Sequence, residues 1–384
     1  MALDRACSIM FYLIIAAVTC LMASQVTAGG AKAPVFVNGE RTRQSFWNRL
    51  FLTGIFVILF LCAALRFDVG NDYQQYTQTA HEAYVGGYVV TEVGFNRLVR
   101  FVYTLLGGEY YEAVFAIFSF VTIWLFLKAL YRQSVNFTHS FFLFMTLGLY
   151  FQTYNTMRYY FVLALALFAM RYVLEKDYLK FVFWILIAAL FHKSVLLVIP
   201  VYWLATLEWK RRYIVCGVAL SGLCFLGRSL VLKAALMLYP SYRNTVYLEG
   251  GGSIGSALRI LMVLAFYMWL AHSMGQERLK AHHAYRELRF YMQLQLLALA
   301  SCTFFSFLPV VTRITYYFSV AQLLMIPLML GMIEEEQPRR RMRMIVFVAC
   351  IVNFGLFLLQ AHEAGVALLP YKSWLFTAER YIYK

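Results

Sequence analysis

The sequence predicts an all-α, polytopic integral membrane protein, and three observations carry that expectation. Of 384 residues, 62% are hydrophobic and only 14% are charged. A soluble domain has roughly 45–50% apolar and about 25% charged residues, so there are too few charges to coat a water-facing surface. The mean hydropathy is +0.65. Second, the apolar residues run continuously, as in FLTGIFVILFLCAALRF and MIVFVACIVNFGLFLLQ. Barrel strands would alternate over about ten residues. Only helices and closed barrels satisfy their backbone in lipid, so continuous runs mean helices. Third, Lys and Arg gather in every second loop.

Taken in order, apolar runs at 8–28, 49–66, 110–132, 138–154, 157–175, 178–192, 194–208, 212–232, 255–274, 288–308, 313–333 and 342–361 suggest about twelve transmembrane helices in one integral domain. Several fall short of the roughly 17–25 residues a crossing needs. The neighbours at 178–192 and 194–208 can therefore be one broken or re-entrant element. The first run ends TCLMASQVTAGG and resembles a signal peptide. Its long apolar core and the basic loop after it favour a retained helix. No repeat, linker or low-complexity tract divides the chain.

The loops near 29–48, 132–137, 175–180, 209–212, 275–287 and 334–343 are basic, with KRR at 210–212 and RRRMR at 339–343. The loop at 67–109 is acidic. Cytoplasmic loops attract Lys and Arg, so the 67–109 and 233–254 loops and both termini are expected on the outer side. The formal charge of +15 follows from that topology, and no nucleic-acid partner is expected. The seven Cys lie in or beside apolar runs without a CxxC pair, which reads as packing.

That topology collects most unusual polar residues on one face. RFDVGNDYQQY at 66–76 supplies Arg66, Asp68, Asp72 and Tyr73. Glu92 follows in TEVGFNRL, Arg158 in YNTMRYYF, His192 and Lys193 in ALFHKSVLLVIP. The 233–254 loop adds Tyr239, Tyr242, Arg243 and Glu249, and the later segments add Arg313 and Tyr316 in VTRITYYF, then Tyr371 and Lys372 in LPYKSW. Ionisable residues at membrane depth are expensive and point to function. Each has a plainer reading: Arg66 as a helix-end anchor, Glu92 as a cap on 94–106, His192 as a core residue, Lys193 as a snorkelling side chain. As a set they suit an anionic lipid-phosphate substrate, because the planar Arg fork grips phosphate oxygens bidentately. His192, with Asp72 as rival, can take the proton of a sugar hydroxyl. Arg66, Tyr73, Glu92, Arg158, Arg243, Arg313 and Tyr316 are the substrate-binding candidates. There is no Walker, kinase, zinc-spaced or dinucleotide motif, so no cofactor or metal is expected. The energy would come from a diphosphate-linked sugar donor.

The order RFDVGNDYQQY, EVGFNRL, MRYYFVLALAL, ALFHKSVLLVIPVYWL, TRITYYF, LPYKSW resembles the EpsG family of bacterial exopolysaccharide proteins, akin to Wzy-type polymerases, over roughly residues 10–375. The family usually has Gly-Thr-Asp-Tyr where this chain has Gly70-Asn71-Asp72-Tyr73, and often Arg-Gln at Arg158-Tyr159. The resemblance implies a polymerase in the bacterial inner membrane, working at its periplasmic face. Such an enzyme joins undecaprenyl-diphosphate-linked oligosaccharide repeats alongside a flippase and a chain-length regulator. Three other readings compete. A glycosyltransferase using polyprenyl-monophosphate sugars would use Asp68 and Asp72 as an acidic pair. A lipid-linked sugar transporter would need polar sites reachable from both faces. The last reading is a non-enzymatic scaffold.

Overall fold

The computed structural model describes residues 2–27, 36–37, 40–41, 43–238, 254–309, 311–363 and 366–376. The chain is helical almost throughout. In order come α1 (Ala2–Ser24), α2 (Arg43–Ala64), α3 (Tyr73–Val85), α4 (Val93–Leu106), α5 (Tyr111–Gln133), α6 (Phe137–Thr146), α7 (Leu149–Gln152) and α8 (Met157–Leu174). Then follow α9 (Tyr178–Ala189), α10 (Val198–Leu204), α11 (Arg211–Leu226), α12 (Arg228–Leu238), α13 (Ile254–Met274) and α14 (Gln276–Ala281). The last are α15 (Tyr285–Thr303), α16 (Val311–Ser319), α17 (Gln322–Met332) and α18 (Glu336–Gln360). Strand pairing among the described residues is confined to Phe36–Val37 against Glu40–Arg41.

Among the described residues seven helices are long and apolar enough to cross a membrane, or eight if the α11–α12 pair, bent by 84°, is one span. The protein is thus a multi-pass membrane protein, with fewer long spans than the twelve apolar runs suggest. Four of the runs explain the difference, two of them the neighbours at 178–192 and 194–208. The 138–154 run breaks at Gly148, whose φ of +77° ends α6 and starts α7. The 288–308 run becomes α15, which is long enough but carries Gln293 and Gln295 in its buried face. The 178–208 run folds as two short apolar helical arms, Tyr178–Ala189 and Lys193–Leu204.

Those arms form a hairpin. Phe181 near the start of α9 stacks on Tyr202 near the end of α10, ring centres 5.9 Å apart. The chain therefore turns back at 190–193, and both feet lie together. Twelve residues of helix rise about 18 Å, less than the ~30 Å hydrocarbon thickness. The 178–208 stretch is thus broken into two short arms, with His192 at the tip of the hairpin.

The bundle has two chemically different ends. At the foot of the hairpin, Arg286 bonds the Leu174 carbonyl and Arg289 pairs with Glu208. Gln293 reaches the Leu207 carbonyl at 2.9 Å. A cavity of about 220 Å³ there joins the starts of α6 and α18 to the end of α17, with Arg339, Arg343 and His139 in its wall. At the other end the last described residues form a clasp. Tyr12 donates to the Leu368 carbonyl at 2.7 Å, and Tyr371 donates to the Cys62 carbonyl at 2.9 Å. The Phe67 amide donates to the Lys372 carbonyl at 2.9 Å. LPYKSW thus ties α1 to α2, and α1 is an integral helix of the bundle with Tyr12 fully buried.

α8 and α16–α17 are the most enclosed spans, with 78% and 83% of their apolar stretches buried against 17% for α18. Their N-terminal ends, carrying Arg158 and Arg313, therefore lie near the middle of the bundle.

Candidate active site

Glu92 is the hub of this end. It occupies the N-cap position of α4, but its side chain makes no capping bond. One carboxylate oxygen takes a hydrogen bond from Arg158 Nη1 at 2.5 Å. The other accepts the Lys193 backbone N–H at 3.1 Å. Glu92 thus ties the start of α4 to α8 and to the tip of the hairpin at once. The pair is well enclosed, with side chains only 14% (Glu92) and 18% (Arg158) exposed. The Arg158 guanidinium also lies over the rings of Tyr76 and Phe95, at 5.6 and 5.2 Å, within cation–π range.

The tip is brought in by a backbone contact. Gly94 N–H donates to the Leu190 carbonyl at 2.8 Å. A Cβ at residue 94 would stand 2.6 Å from that oxygen, so the approach requires glycine. This accounts for the Gly in EVGF. A second glycine works the same way. Gly70, at φ +104°, lies where a Cβ would stand 2.3 Å from the Tyr154 carbonyl oxygen, and it presses the 66–72 segment onto the start of α8.

His192 follows directly. Its Nδ1 lies 3.2 Å from Ser194 Oγ, and Ser194 Oγ lies 2.9 Å from the Tyr317 hydroxyl. Tyr159 packs edge-on to the imidazole with ring centres 5.9 Å apart, and its hydroxyl donates to the Arg313 carbonyl at 2.6 Å. Burial, then the charges of Arg158 and Arg313, push the His192 pKa down to about 3. The ring is therefore neutral near pH 7. At 3.9 Å from Glu92 its Nδ1 forms neither an ion pair nor a hydrogen bond with that carboxylate. The nearby negative charge still favours the proton on Nδ1, directed at Ser194. That tautomer leaves the Nε2 lone pair free to accept a proton.

Asp72 lies beside the same opening. Its Oδ2 accepts from Thr156 Oγ1 at 2.9 Å, just before α8. Asp72, Arg158 and Arg313 all act electrostatically on the Tyr76 hydroxyl. Arg313 and Tyr316 lie on α16, whose Tyr317 ring packs on that of Tyr159 with centres 5.3 Å apart.

The structure places Arg66 and Tyr73 apart from this group. Arg66 is 3% exposed and bonds the Ala63 carbonyl at the end of α2. Its guanidinium lies over Phe115 and Tyr154, at 5.3 and 5.2 Å. The Tyr73 ring packs on Phe115, centres 4.7 Å apart. Both sit in an aromatic layer next to the opening. Asp68 is also separate, bonded to Gln74 at 3.1 Å and near Lys372. Arg243, with Tyr239, Tyr242 and Glu249, lies outside the described residues. Two contributors escaped the sequence reading, Ser194 and Tyr317. The signal for Ser194 was its place in HKS, two residues past the candidate base. Tyr317 stood beside Tyr316, but a run of tyrosines near a helix end also reads as an interfacial belt.

A multi-pass helical bundle with a carboxylate–arginine–histidine knot at one end defines a membrane protein with an enclosed polar site. Residues 49–373, most of the chain, match the EpsG family, and the chain belongs to it. No curated protein and no solved structure matches the chain.

Proposed function

We propose that the protein is a polysaccharide polymerase that joins lipid-diphosphate-linked oligosaccharide repeats at the periplasmic face of the inner membrane. The observation that carries this reading is the convergence of Glu92, Arg158 and His192 from three separate segments, with Asp72 and Arg313 beside them. Family membership supports the exopolysaccharide context.

A hydroxyl of the incoming repeat attacks the anomeric carbon of the growing chain, and the bond from that carbon to the diphosphate breaks. The hydroxyl proton passes to His192 Nε2, with Asp72 the alternative acceptor. The departing lipid diphosphate carries the negative charge, and stabilising it is the role assigned to Arg313 and Arg158. Tyr316, next to Tyr317 on α16, is the proposed sugar contact. The donor also tunes the base. Its negative charge offsets the two guanidiniums that hold the His192 pKa down, so the imidazole becomes more basic only once donor is bound.

Asp68 and Asp72 face different partners, which argues against an acidic pair serving a polyprenyl-monophosphate donor. Clustering at one end argues against a transporter, whose site would be reachable from both faces. A flippase and a chain-length regulator are the partners this role calls for.

Purified protein given a defined undecaprenyl-diphosphate-linked repeat should yield a ladder of polymer and release undecaprenyl diphosphate. Failure to form any ladder with a correctly folded protein sinks the reading. Cysteines placed at 340 and in 67–109 should be labelled from opposite sides of intact cells. Labelling of 340 from outside reverses the assigned orientation.

A further inference from the structure

The end of the bundle away from the clasp carries a cavity that the chemistry at His192 does not use. It lies between the start of α6, the end of α17 and the first turns of α18, and holds about 220 Å³. Arg339, Arg343 and His139 share its wall with the apolar side chains of Val135, Pro327 and Leu330. One part of the wall is cationic and the other is apolar.

The two guanidiniums are placed differently. Arg339 is anchored by backbone, since Nε donates to the Ile333 carbonyl and Nη2 to the Glu334 carbonyl, both at 2.8 Å. Arg343 and the His139 ring make no hydrogen bond among the described residues. One carboxylate, Glu336, stands 3.6 Å from Arg339 and 3.5 Å from Arg343. It is 72% exposed and outside the wall, as are the exposed Glu334 and Glu335. A single solvated carboxylate shared by two guanidiniums leaves positive charge in excess. The size narrows what can enter. Small-molecule pockets run to roughly 300–1,000 Å³, so this cavity is short of a nucleotide or an oligosaccharide. It suits a phosphodiester, the compact anion that guanidiniums grip.

The position supplies the rest of the ligand. Arg343 is the last charged residue before the apolar stretch MIVFVACIVNFGLFLLQ. The residues that follow it, Met344, Ile345 and Val348, are exposed, on a helix with only 17% of its apolar stretch buried. Beyond the cavity α6 and α18 close on each other, with Phe142 stacked on Phe347 at 5.2 Å and Asn353 bonded to the Thr146 carbonyl at 3.0 Å. The cavity therefore lies where a lipid headgroup meets its tails, beside a helix that faces lipid.

We propose that this cavity holds the phosphate of an anionic phospholipid from the leaflet on the side of the basic loops. Basic pockets between membrane helices are where such headgroups bind. Arg339 and Arg343 take the phosphate oxygens, and the tails lie against the exposed apolar face of α18. The lipid thereby fixes the start of the span that the protein itself encloses least. The site stands apart from His192 and does not rest on the polymerase reading.

The test is lipid binding to the full-length protein in detergent at about 0.15 M salt, where surface charges are screened beyond about 8 Å. Phosphatidylglycerol should bind saturably and raise the melting temperature with its concentration. Phosphatidylcholine and inorganic phosphate should do neither at matched concentration. Arg343→Gln should weaken phosphatidylglycerol binding roughly tenfold or more, the loss of one charge-assisted bond. Arg340→Gln removes the same charge from the same helix outside the wall, and should change the affinity far less. Equal losses in the two variants mark a general basic surface and overturn the site, as does parent-like binding in Arg343→Gln. Equal binding of phosphatidylcholine overturns recognition of charge. Inorganic phosphate as potent as the lipid makes the ligand a soluble anion and overturns the lipid assignment. If Arg343→Gln does not insert, His139→Phe decides, keeping a ring in the wall without its nitrogens, and parent-like affinity there overturns the proposal.

Discussion

Arg66 and Arg158 stand at the same end of the bundle, each against two aromatic rings, each following an apolar or tyrosine-rich run. What holds them differs. Arg66 is 3% exposed and bonds a backbone carbonyl of its own helix end, where a cation complements the helix dipole. Arg158 meets a carboxylate delivered from another segment, and that carboxylate also grips the hairpin tip. The first arrangement closes a helix. The second connects three segments around a histidine. Environment, not residue type, therefore separates the two arginines.

The largest expected effect lies at the end of the second arrangement. His192→Ala should lower polymerisation by about 10²–10⁴-fold, the usual range for a general base, with the protein still folded and inserted. Retention of most activity in His192→Gln would pass the base role to Asp72. The parent also has a pH signature. With the free-enzyme pKa near 3, kcat/KM should stay flat as pH falls from 8 to about 5. The kcat profile, which reports the substrate complex, should show its ascending limb at higher pH, since bound diphosphate raises the imidazole pKa. Coincident limbs would contradict a donor-tuned base.

Glu92→Gln comes next. Breaking an enclosed pair by removing one partner costs about 3–5 kcal/mol, read as a lower melting temperature, and activity should fall with it. Glu92→Met combined with Arg158→Met should regain most of the stability and none of the activity. Equal recovery of both would make the pair purely structural.

Arg158→Lys keeps the charge but loses the planar fork. It should lose activity by roughly tenfold or more, the equivalent of one charge-assisted bond at about 1.5–3 kcal/mol. The smallest effect belongs to Arg66→Met. It should cost about 1 kcal/mol of stability, one helix-end contact, and leave turnover within about threefold. A turnover loss like that of Arg158→Lys would erase the distinction between the two arginines.

Much of this was legible in the chain. The helical membrane class follows from the continuous apolar runs, and the hairpin from two runs too short to cross. Glu92, Arg158, His192 and Arg313 stood out because ionisable groups are rare beside such runs. Other features depend on contacts between distant residues. Nothing local separates Arg66 from Arg158, since a helix-end carbonyl and a carboxylate 66 residues away leave the same mark on the flanking sequence. The count of crossings failed where one glycine, Gly148, breaks a run that composition makes continuous. The order within 67–109 was also hidden. That segment is an outer loop by charge, yet it folds as α3 and α4 and is fastened by Arg100 to the Ala83 carbonyl at 2.6 Å.

The hairpin tip carries a consequence for fidelity. An enzyme that activates a sugar hydroxyl against a diphosphate leaving group has water as a rival nucleophile, present at far higher concentration than any acceptor. His192 is held on a short re-entrant arm with only 14% of its side chain exposed, packed edge-on to Tyr159. In its proposed role as base, so enclosed a histidine would exclude the rival. The ratio of extended chain to hydrolysed free repeat is then set by how tightly the tip is seated. Loosening its Gly94–Leu190 fastening should release free oligosaccharide into the medium before it abolishes synthesis.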